Sequence, residues 1–205
     1  MEHQTRGRTR AGILALSSLV PACMAFPGTA SAHIIGVHGM GFAGGFEHPF
    51  TGYDHLLAMM AVGFWAARMG GRALWMLPAT FLSAAALACL LAIGGGSLIA
   101  MMEGGIAVSL VLLGLLIAME ARPGLPAAVP MVAIFGLCHG YAHGVVMPAA
   151  ASPLAYAAGF LTATALLHTV GVRLGTMTLP HASRMLPRLA GVAVALPGLV
   201  LLAFG

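Results

Sequence analysis

Residues 125–147 read LPAAVPMVAIFGLCHGYAHGVVM, twenty-three residues without an aspartate, glutamate, lysine or arginine. A helix of that length reaches across the roughly 30 Å hydrocarbon core of a bilayer. Two histidines nevertheless sit inside it, His139 and His143. An ionisable group in hydrocarbon is costly and is usually retained for a task.

The same pattern recurs along the chain. Apolar runs fall at about 53–69, 73–94, 98–119, 125–147, 153–175 and 186–204, separated by breaks at Gly70-Gly71, Gly94 to Ser97, Arg122-Pro123-Gly124, Pro148 to Pro153 and around Pro180. They lack the alternation of barrel strands, and open strands leave backbone groups unpaired in lipid, so each run reads as a helix. Composition agrees: 60% of the 205 residues are hydrophobic, only 7% are charged, and the mean hydropathy is +0.99. A soluble domain would carry about a quarter charged residues. The expected fold is therefore all-α, a polytopic membrane bundle of about six transmembrane helices.

The first 32 residues have the layout of a signal peptide. Arg6, Arg8 and Arg10 precede the apolar stretch AGILALSSLVPACMAF, and Ala30-Ser31-Ala32 supplies an A-x-A cleavage site. Cleavage there divides the chain into a leader, 1–32, and a six-helix domain, 33–205. All nine basic residues are arginine, and they form no patch suited to nucleic acid. Beyond the leader they alternate: Arg68 and Arg72 at the first connection, Arg122 at the third, Arg173, Arg184 and Arg188 around the fifth. The second and fourth connections have none, as the positive-inside rule requires when both mature ends lie outside. Cys23, Cys89 and Cys138 have no CxxC spacing, so neither a disulfide framework nor a thiolate site is indicated.

On this topology His48, Asp54 and His55 lie at the outer mouth of the first span and Glu103 about one turn inside the third. His139 and His143, four residues apart, share the outer half of one helix face, and His168 lies deeper in the fifth span. Imidazole with carboxylate suits nickel, cobalt, copper, zinc or iron better than calcium or magnesium. Gly136, Gly140 and Gly144 recur at a spacing that lets helices approach closely. Blander readings exist: Glu103 can simply pair with a histidine, His168 can hydrogen-bond a neighbouring helix, and His181 reads as a solvated loop residue. Cleavage after Ala32 would place an α-amino group beside the His33 imidazole, a bidentate clamp for a divalent ion, with His38 close by.

These residues resemble the HupE/UreJ family of nickel/cobalt permeases. The likeness rests on His48-Pro49 with Gly52, Asp54 and His55, on Ala58-Met59 and Val62-Gly63, and on Glu103-Gly104-Gly105 with Ser109. It continues in His139-Gly140-Tyr141-Ala142-His143-Gly144 and in Leu167-His168 with Gly171. The resemblance implies a six-helix secondary permease of the bacterial inner membrane taking up Ni²⁺ or Co²⁺, with hydrogenase or urease maturation proteins as partners. The ligand candidates it implies are His48, Asp54, His55, His139 and His143, then Glu103 and His168. One position departs: where the family usually has an acidic residue after the HGxAHG run, this chain has Val146, which removes a hard ligand and puts the metal's identity in question.

No Walker A pattern is present, so transport without ATP hydrolysis is the leading expectation, with no enzymatic activity and no permanently bound cofactor. The alternative is a membrane redox protein holding a metal or a bis-histidine haem on His55, His139, His143 and His168. A sensor or structural partner in a metal-handling complex is the third reading.

Overall fold

The computed structural model describes residues 41–92, 99–148, 151–178 and 185–204, all within the unit Ala32–Gly205. They form seven helices and, among the described residues, no strand: α1 (Phe42–Thr51), α2 (Tyr53–Met69), α3 (Ala73–Ala92), α4 (Ile99–Ala118), α5 (Leu125–Val145), α6 (Pro153–Met177) and α7 (Met185–Phe204). The six expected segments coincide with α2 to α7 to within two residues at each end. Five of these, α3 to α7, are long and apolar enough to cross a membrane. Helix α2 is shorter at 17 residues and carries Asp54 and Arg68 in its first and last turns. The expected leader, His33, His38 and His181 lie outside the described residues.

Helix α1 has no counterpart in the sequence reading. Its ten residues, FAGGFEHPFT, include two glycines and a proline, all weak helix formers. Packing supplies what propensity lacks. Phe42, Phe46 and Phe50 line one side at centroid spacings of 6.1 and 5.6 Å, the first pair stacked and the second tilted. Gly45 lies against the Tyr156 carbonyl, and Gly159 of α6 lies against the Phe42 carbonyl.

Glycine contacts also fix the directions of the longer helices. Gly63 meets the His168 carbonyl, while Gly171 and Gly175 meet those of Met60 and Phe64, so α2 and α6 run parallel. Gly136, Gly140 and Gly144 meet the carbonyls of Phe81, Ala85 and Cys89 in the same order, so α3 and α5 also run parallel. Gly114 packs against Gly191 and Ala195, and Gly198 against Ala107, so α4 and α7 are antiparallel. At each point a Cβ would strike the neighbouring backbone, which is why small residues recur there.

Gly70 and Gly71, at φ 73° and 53°, turn α2 tightly into α3. The Trp65 indole donates to the Ala121 carbonyl at 3.0 Å, and Arg68 pairs with Glu120 at 2.8 Å. These two contacts tie the α4–α5 connection to the end of α2. The starts of α2 and α6 and the ends of α3 and α5 therefore share one end of the bundle, the histidine end. The described arginines, Arg68, Arg72, Arg122, Arg173 and Arg188, gather at the other.

Trp65, Phe81, Phe160, Leu110 and Leu113 fill the interior, whereas Trp75, Leu91, Met119 and Leu154 point outward. So apolar an exterior suits contact with lipid tails better than with water.

Candidate metal site

At the histidine end α1 contributes His48, α2 contributes Asp54 and His55, and α5 contributes His139 and His143. The imidazoles meet mostly edge to face. His143 is 4.7 Å from His48 and 4.6 Å from His55 between centroids, and His55 is 5.4 Å from His139. His48 and His55 are 6.4 Å apart. Four helix-borne rings expected from sequence are thus brought together, with Asp54 beside them.

Hydrogen bonds assign the protons. His55 Nδ1 lies 3.0 Å from Asp54 Oδ1; an ionised carboxylate only accepts, so Nδ1 carries the hydrogen, and it is the neutral ring whose Nε2 offers a lone pair. His139 Nδ1 lies 2.8 Å from the Phe135 carbonyl one turn earlier, which fixes the same tautomer. His139 Nε2 is then a buried lone pair with no hydrogen-bond partner among the described residues. A second group fixing a ring through one nitrogen so that the other can coordinate is the usual arrangement behind metal-binding histidines.

His143 goes further. It is fully buried, stacks on Phe160 at 4.1 Å, and neither ring nitrogen has a hydrogen-bond partner among the described residues. The Tyr156 hydroxyl is likewise buried and without a partner among the described residues, with its ring 6.5 Å from that of His48. Leaving a buried polar group unsatisfied costs about 1–3 kcal/mol, which a coordinated cation or another polar ligand would offset. Among the described residues no three His, Cys, Asp or Glu side chains already converge on one point. Ligation therefore requires the rings to turn from edge contact towards a shared centre.

The remaining candidates are placed differently. Glu103 is exposed on α4, whose Met102 and Ile106 are the residues that pack on Cys138 and Ala142 of α5. Its carboxylate forms no ion pair among the described residues. His168 lies farther along α6, 2% exposed, with neither nitrogen paired among the described residues. Two aromatic residues that sequence reasoning did not single out pack on these rings: Phe81 touches both His168 and His139, and Phe160 stacks on His143. Nothing in the sequence distinguishes them from ordinary core aromatics, since only the packing of α3 and α6 brings their rings to the histidines. Val146 caps α5, its N–H bonded to the Ala142 carbonyl, so Asp54 is the carboxylate that the described structure sets beside these rings.

The family model described as "HupE / UreJ protein" matches residues 21–201. The chain is 43% identical over 181 residues to "Protein HupE" of Rhizobium leguminosarum bv. viciae, covering 88% of this chain and 94% of that relative. No solved structure matches.

Proposed function

The chain belongs to the HupE/UreJ family, which is associated with nickel and cobalt transport, and from that premise we propose that it is an ATP-independent permease for Ni²⁺ or Co²⁺. The observation that carries this reading is a set of buried imidazoles on facing helices in which, among the described residues, His139 Nε2 and both ring nitrogens of His143 and His168 have no hydrogen-bond partner. Such nitrogens, when neutral, are soft enough donors for late first-row divalent ions.

The histidine end faces outward and the arginine end faces the cytoplasm, in keeping with the positive-inside rule. The ion is captured where Asp54 supplies negative charge, exchanges water for the imidazoles of His48, His55, His143 and His139, and leaves past His168. A divalent ion moving inward gains about 4.6 kcal/mol per 100 mV of membrane potential, twice the single-charge figure. That suffices for accumulation without a nucleotide. If the leader is cut after Ala32, His33 begins the mature chain and adds an amine–imidazole clamp at the entrance. Metalloenzyme maturation proteins, for hydrogenase or urease, are the natural recipients of the ion.

Val146 shapes the choice of metal. With a valine there, the donor set keeps one carboxylate and is otherwise imidazole, a softer set than the family's usual one, and one that accommodates cobalt as readily as nickel.

The test is flux by the purified full chain in proteoliposomes, with Ni²⁺ and Co²⁺ offered outside and a potential imposed negative inside. Accumulation of either ion without ATP supports the permease. Binding without flux would move the protein to the class of sensors or complex partners.

A further inference from the structure

The ring of Phe81, on α3, packs on two histidines from different helices. It lies 5.3 Å from His139 of α5 and 5.0 Å from His168 of α6, and is itself fully buried. His139, His143 and the outer rings contact one another; the ring that His168 meets is Phe81, which also meets His139.

An ordinary core histidine satisfies at least one nitrogen, as His139 does on the carbonyl one turn earlier. Thr162, Thr164 and Thr169 on α6 do the same with their hydroxyls. His168 does not: both its nitrogens are buried without a partner among the described residues. One turn before it on the same face, Thr164 Oγ1 bonds the Phe160 carbonyl at 2.9 Å and contacts Met59 Sδ at 3.4 Å. Gly63, one turn beyond Met59 on α2, sits directly against the His168 backbone. This level of the bundle thus offers imidazole, hydroxyl and thioether, and no carboxylate among them.

Resting on the transport reading, we infer that His168 is an inner, uncharged station for the transported divalent cation, and that the Phe81 ring is the barrier dividing it from the outer cluster beside Asp54. The difference in charge between the stations gives the path a direction. A site with a carboxylate captures, and a site without one releases, which conduction needs because an ion held too firmly does not leave. The phenyl ring cannot ligate the ion or hold water, so at rest it interrupts any continuous file of water and blocks proton leakage. Its face still attracts a cation in transit.

The experiment uses the purified full chain with Co²⁺ as the probe. Bound cobalt per chain is measured by equilibrium dialysis, flux in proteoliposomes with an entrapped metal-sensitive dye, and proton leak in metal-free vesicles with a pH dye. Wild type should bind two ions of unequal affinity. His168→Gln, and the harsher His168→Ala, should lose the weaker ion, keep the tighter one, and lower flux roughly tenfold or more. Phe81→Ala should keep both ions but raise proton leak about fivefold or more, while Phe81→Leu, still apolar and bulky, stays near wild type. Unchanged stoichiometry and flux in His168→Gln would remove the inner station, and an unchanged leak in Phe81→Ala would remove the barrier. Wild type that binds two ions but moves none would sink transport and leave the station standing; transport with a single bound ion would do the reverse. If the variants aggregate, the wild-type stoichiometry alone decides whether a second station exists.

Discussion

The imidazoles of His55 and His143 meet edge to face with centroids 4.6 Å apart at an interplanar angle of 88°. One is oriented by Asp54 and the other stacks on Phe160. A fixed ring thus faces one that has no hydrogen-bond partner among the described residues, which is how a site can hold one donor ready and let the second turn onto an arriving ion.

Two residues acting on one ion should be non-additive. His55→Ala and His143→Ala are each expected to lower cellular ⁶³Ni or cobalt uptake roughly tenfold or more, and the double variant to be no worse than either alone. Equal uptake by wild type and His143→Ala would refute the role of α5, and fully additive losses would place the two histidines on separate steps.

Uptake should fall on acidification. Coordination needs the neutral imidazole, so protons compete with the ion for the ring nitrogens: lowering the pH removes ligands and raising it restores them. The KM for Ni²⁺ or Co²⁺ in proteoliposomes at fixed potential is therefore expected to rise as the pH is lowered. A KM independent of pH over the whole range in which the protein stays folded would count against histidine ligation.

Val146→Glu adds a carboxylate at the C-terminal cap of α5, three residues beyond His143. A hard, charged donor there should lower the KM for Ni²⁺ several-fold and slow release enough to reduce maximal flux. The comparison is of KM and maximal rate for Ni²⁺ and Co²⁺ in the two proteins; identical constants would show that this position does not reach the path.

The glycine contacts predict opposite outcomes at two positions. Gly140→Ala drives a methyl group into the Ala85 carbonyl and should cost about 1–3 kcal/mol of stability through overpacking. Gly104 has no neighbouring atom where its Cβ would lie, so Gly104→Ala should be neutral or gain about 0.5–1 kcal/mol from helix propensity. Thermal unfolding in detergent reads both, and equal effects would contradict the close α3–α5 approach.

Sidedness can be read chemically. Thr51 is exposed at the histidine end and Gly124 at the arginine end, while Cys89 and Cys138 are buried. A membrane-impermeant maleimide added to whole cells should label Thr51→Cys and spare Gly124→Cys until the cells are opened. The opposite pattern would invert the topology and the direction of the proposed path.

Sequence by itself determined the all-helical membrane architecture, the limits of the six long helices, and the histidines and Asp54 as the residues that needed explaining. Those features are local: apolar length, glycine and proline breaks, and arginine placement act through the chain's own solvent preference and need no partner. Helix α1 was illegible because its glycines and proline argue against a helix, and only packing on α6 overrides them. Glu103 and His168 looked alike in sequence, each a lone ionisable group in an apolar run. The rotation of α4 leaves Glu103 exposed, whereas the glycine contact between α2 and α6 buries His168 behind Phe81. Which face of a helix meets a neighbour depends on side chains far away in the chain. The tertiary structure alone therefore decided which costly residues form one cluster, which stands deeper, and which aromatic ring separates them.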